Sequence, residues 1–569
     1  MECIRAWQGL LLSTAVALSA CTTTQSSNNT PVATPGELST AYTLKSGGEI
    51  PRYQQGVSVE HAELHFAFDF DKQQLFGNTI LTLDATKPAK AVSVDLDSVF
   101  TIDGVWLNGE AIEPEQFSNQ QGELVITPTN KVNFPVSVQV KYHGHPRTPP
   151  NAPWDGGVMW EKTPDGAPWL ATAVQGEGCD LFWPCIDQPM GEPKTADIYI
   201  TVPYNLVAAS NGVLVETTST ANESTYHWQT RSAHNTYGIA LNIAPYEKIE
   251  DTYQSIYGNS YPIVYYHLPG NTEQAQALFD EIPAMLTFFE RMIGPYPFAD
   301  EKVGVVQTPH LGMEHQTINA YGNEYKKDEF GFDWLLQHEF AHEYFGNQVT
   351  NDNWDHMWIH EGLGSYMQPL FAQYLHGDIA YKAYLNNQRK GLINTHPIVS
   401  NKPMEVEEVY EKGVGPALDI YYKGSWIMHS LRYLIGDQAF FDSVTTLLYG
   451  TASPQPGQFT TVYRNTGDFI KLVNELTGED FSWFFDVYLY QPRLPELHQQ
   501  RTSDQLTLTW LVPDDLPFPM PVEVAVNGKV TTLQLPAENT IKVSEQDVVI
   551  VDPNSKLLRF EARYDAAAK

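Results

Sequence analysis

Between about residues 45 and 255, apolar and polar side chains alternate in short runs separated by turn-forming residues. In His61-Ala62-Glu63-Leu64-His65-Phe66-Ala67-Phe68-Asp69-Phe70 the two kinds fall on opposite sides of an extended chain. Similar runs occur at 79–84, 92–97, 123–127, 136–142, 197–202 and 226–246. A period of two, broken by Asn-Gly, Asp-Gly and Pro-rich stretches, predicts antiparallel strands and a sandwich-like β domain over 46–255. After about residue 256 the period lengthens. Residues 272–293 carry apolar side chains at helical spacing with Pro283 as an internal break or boundary, and 333–347, 360–375 and 417–435 also read as helices. Val303-Gly304-Val305-Val306 reads as a strand between them, so 256–491 is expected to be an α+β domain. Alternation returns in Leu506–Trp510 and Val522–Val526, and Asn527-Gly528 signals a hairpin. Residues 492–569 are therefore expected to form a small C-terminal β domain.

The length, 569 residues, is too great for one hydrophobic core and agrees with this multidomain division. The net charge of −34, from 34 basic and 68 acidic residues, argues against a nucleic-acid partner, which needs clustered Lys and Arg. It is first of all a solubility surface. Residues 8–20 form an apolar run too short to span a bilayer, ending at Leu18-Ser19-Ala20-Cys21. This resembles a bacterial lipoprotein signal: 1–20 would be removed, Cys21 lipidated, and the Thr-, Ser-, Asn- and Pro-rich 21–45 would serve as a flexible tether. The implied location is the bacterial cell envelope, periplasmic or surface-facing, with membrane attachment through Cys21. Of the four cysteines, Cys3 and Cys21 fall in this leader, leaving Cys179 and Cys185 either as a disulfide or as two buried thiols.

The densest chemistry is in His338-Glu339-Phe340-Ala341-His342. Two histidines at i and i+4 on a helix project from one face and can share a tetrahedral ion, while the adjacent Glu339 can reach water on that ion. A helix with two surface histidines and a salt-bridging Glu is the ordinary alternative. Glu361, in Trp358-Ile359-His360-Glu361-Gly362, shifts the balance by offering a third ligand on the next helical segment.

Taken together, 338–347 and 358–362 resemble the M1 (gluzincin) zinc aminopeptidases, in which HExxH is followed after 18 residues by a ligand Glu; here 343–360 is that interval. The resemblance implies a thermolysin-like catalytic domain over 256–491 and one Zn²⁺ held by His338, His342 and Glu361. Zinc leaves an open position for water and lowers its pKa to roughly 7, with Glu339 as general base. Three further matches bear on the substrate. His310-Leu311-Gly312-Met313-Glu314-His315 resembles the family's G-A-M-E-N segment, departing from it at Leu311 and His315. It implies Gly312, Met313 and Glu314 as substrate-binding residues on an edge strand. Gln175-Gly176-Glu177, followed by Phe182-Trp183-Pro184-Cys185-Ile186-Asp187-Gln188-Pro189, resembles the family's Q-x-E segment. It implies Glu177 as a second carboxylate on the substrate amine and Gln175 as a pocket wall. Tyr421-Tyr422-Lys423-Gly424 resembles Y-x-K-G and implies Tyr421 as a hydrogen-bond donor to the oxyanion. The expected activity is removal of N-terminal residues from peptides with a free amine. A thermolysin-like endopeptidase and a catalytically inactive peptide-binding protein are the alternatives. Many members of that family carry a large C-terminal helical domain, and the segment 492–569 is expected to be a small β domain instead.

Overall fold

The computed structural model describes residues 43–565; the signal segment, Cys21 and most of the tether lie outside the described residues. The tether's last residues depart from expectation. Thr43 is buried and donates a hydrogen bond to Asp180 Oδ2, and Lys45 Nζ pairs with Glu405 Oε2 at 2.7 Å, so ordered packing begins inside 21–45.

The N-terminal part is built on an eight-stranded sheet, whose order is Val213–Ser219, Glu223–Thr230, Ala196–Pro203, Val57–Asp69, Gln74–Ala85, Val136–Gly144, Thr101–Leu107 and Glu110–Ala111. Alternation sends Ala62, Leu64, Phe66, Leu81, Leu83, Val138 and Val140 to one face, where all are buried. The sheet is antiparallel with one exception. Val57–Asp69 runs parallel to Ala196–Pro203, with Ala62 opposite Ala196, a pairing between distant segments that alternation alone does not reveal. Two smaller sheets complete this part: Val207–Ala209, Asn242–Ala244, Pro168–Ala173 and Gly157–Lys162, and Val92–Asp95, Glu123–Ile126 and Phe117–Gln120.

The strand Glu247–Gln254 corrects the expected boundary at 255. It pairs with Ser260–His267, which runs parallel to Val303–Gln307, so its sheet is that of the α+β part. Asn319–Tyr321 and the edge strand Gly312–Met313 follow in that sheet. Residues 272–293 divide into Thr272–Phe279 and Ile282–Met292, with Pro283 in the first turn of the second helix, where its missing N–H is tolerated.

The C-terminal part holds two three-stranded sheets. Val522–Val526 and Lys529–Leu533 meet through Asn527-Gly528, both at positive φ (49° and 84°), as a two-residue hairpin requires. Among the described residues no helix is long and apolar enough to cross a membrane.

Candidate active site

The HExxH segment ends a helix, Trp334–His342. Asp333 caps it: Oδ1 accepts from the amides of Leu335 at 3.1 Å and Leu336 at 3.0 Å, satisfying donors the helix itself leaves free. Leu335, Leu336, Phe340 and Ala341 are buried, which fixes the helix's rotation. Glu361 stands in the first turn of a second helix, Trp358–His376.

Three ligand atoms converge between these helices. His338 Nε2 lies 3.1 Å from His342 Nε2 and 3.6 Å from Glu361 Oε2, and the latter two are 3.3 Å apart. A tetrahedron with bonds of ~2.05 Å has edges of about 3.3 Å, so the three donors stand at three corners of a zinc-sized site. His342 Nδ1 is 2.8 Å from the Phe345 carbonyl, which places a ring proton there and turns Nε2 toward the other two donors. Glu361 Oε2 is buried and accepts no hydrogen bond, an orphan that a cation satisfies. Burial pushes His338 down to about 3. On His342 the carboxylates of Glu361 and Glu314 outweigh burial and hold it up at about 10.

Glu339 is buried with its carboxylate against Gly312, where an added Cβ would come within 2.4 Å of Glu339 Oε1. Gly312 thus lets the edge strand approach the carboxylate. Burial first, then the neighbouring charge of Glu314, raise the Glu339 pKa well above the usual carboxylate range. Met313 is buried beside it.

Glu314, also buried, accepts from Gln175 Nε2 at 2.5 Å and from the Tyr237 hydroxyl at 3.0 Å, both through Oε1. Gln175, expected as a pocket wall, is thus hydrogen-bonded to Glu314. The Glu314 carbonyl accepts from Asn347 Nδ2 at 3.1 Å, tying this strand to the turn after the HExxH helix. The two departures in this segment are absorbed by packing: Leu311 is partly buried against the core, and His315 is fully buried and held neutral by burial.

Glu177 lies in a loop stapled by a Cys179–Cys185 disulfide, Cα–Cα 6.3 Å, which resolves the alternatives for these cysteines. Cys185 also exchanges two backbone hydrogen bonds with Asp95, and Tyr142 donates to the Phe182 carbonyl at 2.7 Å. Burial raises the Glu177 pKa to about 7 against the opposing pull of Arg147, whose Nη1 is 2.7 Å from Glu177 Oε2.

Tyr421 immediately precedes the helix Tyr422–Ile435, its ring 6.1 Å from that of His338. Lys423 and Gly424 show how it is placed. Lys423 is buried and donates to the carbonyls of Gln491 and Pro492 at 3.1 and 3.0 Å. A Cβ on Gly424 would lie 2.8 Å from Gly362 Cα, so the Tyr422–Ile435 helix rests backbone to backbone on the residue after Glu361.

Three residues at the site went unpredicted: Arg147, Tyr237 and Tyr410. The Tyr410 hydroxyl donates to Glu361 Oε1 at 3.2 Å, and its ring lies 6.5 Å from that of Tyr421. Tyr410-Glu411-Lys412-Gly413 is itself a Y-x-K-G sequence, a signal available in the chain. Its Lys412 and Gly413 are exposed, and nothing packs within 4 Å of a Cβ on Gly413. Only the second copy, Tyr421-Tyr422-Lys423-Gly424, has its Lys and Gly packed.

A family model described as the Peptidase family M1 domain matches residues 285–488, and one described as the Peptidase M1 N-terminal domain matches 58–237. A leucyl aminopeptidase of Saccharolobus solfataricus is 24% identical over 406 residues, covering 67% of this chain and 49% of the relative. The endoplasmic reticulum aminopeptidase 1 of Homo sapiens is 23% identical over 299 residues, covering 49% and 30% respectively. The chain thus spans about half or less of the length of these curated relatives. Among solved structures, a mutant M1 zinc metallopeptidase of Deinococcus radiodurans bound to a Tyr-Ser-Ala substrate superposes with a TM-score of 0.65 at 21% identity, covering 79% of this chain and 98% of that one. A two-domain M1 zinc metallopeptidase mutant bound to L-tryptophan gives 0.66 at 22%, covering 79% and 99%. The two matched regions contain the β-rich part with Gln175 and Glu177 and the α+β part with His338, His342 and Glu361, and the chain belongs to peptidase family M1.

Proposed function

We propose that this protein is a zinc-dependent aminopeptidase that removes N-terminal residues from peptides. The observation that carries the reading is Glu314. It is a buried carboxylate whose two hydrogen-bond donors, Gln175 and Tyr237, are neutral, and it feels the charge of His342 and Glu361 in the donor set. A buried charge without a cation of its own is costly, and the α-ammonium of a peptide supplies that cation. Binding there would set the first peptide bond beside the three donors and Glu339.

His338, His342 and Glu361 would hold the zinc. When bound, it supplies a Lewis acid that polarises the scissile carbonyl and acidifies water. Glu339, whose proton affinity burial has raised, takes a proton from the attacking water and returns it to the leaving amine. Tyr421, whose pKa burial holds well above the normal phenol range, stays protonated and donates to the oxyanion as it develops. Gly312 keeps the peptide-facing edge strand close to Glu339.

The test is a panel of fluorogenic aminoacyl substrates, with and without chelator. Hydrolysis abolished by chelator and restored by Zn²⁺ supports the reading. A zinc-free protein with no hydrolysis would leave a peptide-binding protein instead.

The same proposal includes attachment to a bacterial envelope membrane through lipidated Cys21, supported by the order of apolar run, Leu18-Ser19-Ala20-Cys21 and polar tether. Loss of membrane fractionation in Cys21→Ala would be expected; unchanged fractionation would refute it.

A further inference from the structure

Arg147 lies on the connection between the strands Val136–Gly144 and Gly157–Lys162. Its guanidinium bridges two acids, Nη1 to Glu177 Oε2 at 2.7 Å and Nη2 to Asp97 Oδ2 at 3.4 Å. Little of the group meets water: side-chain exposures are 13% for Arg147, 10% for Glu177 and 0% for Asp97. The main chain is held as well. The Arg147 carbonyl accepts from Val158 N–H at 2.8 Å, and a Cβ on Gly157, at φ 153°, would come within 2.3 Å of that carbonyl. Gly156 fits against Glu177, where its Cβ would lie 2.6 Å from Glu177 Cβ. Two glycines thus allow the connection to close over the carboxylate.

The two carboxylates proposed for the substrate amine are therefore built differently. Glu314 has only neutral hydrogen-bond donors, whereas Glu177 has a fixed cation. The other charged groups near Glu177 are Glu407, on the short helix Val406–Tyr410, and Asp155, on the turn that carries Gly156; both work against ionisation of Glu177. Lys45 lies beside Glu407 and partly offsets it. Burial pulls in the same direction as the two acids, and Arg147 is the counterweight. Its contact is through Oε2, which leaves Oε1 as the oxygen that Arg147 does not engage.

We propose that Arg147 is a positioning residue for the substrate's amino terminus, pinning Glu177 through Oε2 and presenting Oε1 to the ammonium. The proposal rests on the aminopeptidase reading above. It makes substrate binding depend on a residue that never touches the substrate. It also requires the acidic limb of the pH profile to follow the charge at position 147.

The experiment measures kcat and KM for an aminoacyl-coumarin substrate from pH 5 to 9 in the zinc-loaded protein. Wild type, Arg147→Met, Arg147→Lys and the double variant Arg147→Met/Asp97→Asn are compared. The double variant removes the charge of the acid that Arg147→Met leaves buried without its cation, with the Val99 amide as a donor at 3.0 Å, so it preserves the test if the single variant fails to fold. Removing the cation should raise KM at pH 7 by about 10-fold, leave kcat within about 3-fold, and move the acidic limb of kcat/KM up by about one pH unit or more. Arg147→Lys should return the limb most of the way toward wild type. An unmoved limb and unchanged KM in a folded Arg147→Met or double variant would overturn the proposal. Equal cleavage of free-amine and N-acetylated peptides by wild type would overturn the underlying reading, whatever Arg147 does.

Discussion

Two tyrosines, each opening a Y-x-K-G sequence, lie beside Glu361 in different packing, and the proposed mechanism gives them different work. Tyr410 donates to Glu361 Oε1 at 3.2 Å, and so steadies a ligand while the other oxygen, Oε2, faces the histidines. Tyr421, held by the packed Lys423 and Gly424, stands 6.1 Å from the His338 ring, where the oxyanion would form. Tyr421→Phe removes one oxyanion donor, which costs about 10²–10³ in kcat, or about 3–4 kcal/mol of transition-state stabilisation. Tyr410→Phe removes a hydrogen bond that orients a metal ligand, which typically costs about 10–100-fold in metal affinity. The assay is kcat at saturating substrate and zinc, paired with a zinc titration against a competing chelator. Tyr421→Phe should lose turnover with zinc affinity little changed, and Tyr410→Phe the converse. If Tyr410→Phe instead lost turnover at saturating zinc and Tyr421→Phe did not, the assignment from packing would be wrong.

Three other outcomes follow from the same geometry. Glu339→Gln should retain zinc but lose most turnover, because the amide cannot accept the proton; full activity in a steady-state assay would remove Glu339 from the mechanism. Gly424→Ala places a methyl 2.8 Å from Gly362 Cα, backbone against backbone, and should cost about 1–3 kcal/mol in denaturant unfolding together with a fall in kcat. No change in either would mean that the helix contact does not seat Tyr421. Glu192 is buried, bonded to the Tyr463 hydroxyl at 3.1 Å, and burial raises its pKa to about 8. Because this exceeds the unfolded-chain value of roughly 4.3, its cost to stability is absent below about pH 4, grows as pH rises through 8 and then levels. Glu192→Gln should therefore gain thermal stability over wild type at pH 8.5 more than at pH 6; an equal difference at both would contradict the burial argument.

The pairing of His338 with His342 was legible because its geometry is local, and Glu361 through the family's spacing. His338 and His342 share a helix face by spacing alone, and the interval to Glu361 fits one turn-and-helix connection. The hairpin at Asn527-Gly528 was legible for the same reason, whereas the edge-strand position of Gly312 and Met313 came from the motif's resemblance to the family segment. Arg147, Tyr237 and Tyr410 were not, since each owes its role to a contact spanning 30, 77 and 49 residues respectively. The repeated Y-x-K-G shows the limit most clearly, because the motif is the same in both copies while the packing on their Lys and Gly is not. Long-range pairing likewise decided the parallel match of Ala62 with Ala196, the placement of Glu247–Gln254 and the Cys179–Cys185 bridge.

Glu314 and Glu177 are the carboxylates proposed to read a free amine. The most direct measurement compares kcat/KM for a peptide and its N-acetylated counterpart in wild type and Glu314→Ala. Wild type should cleave only the free-amine peptide at an appreciable rate, and Glu314→Ala should lose most of that preference. Equal rates for both peptides in wild type would contradict the account and identify an endopeptidase.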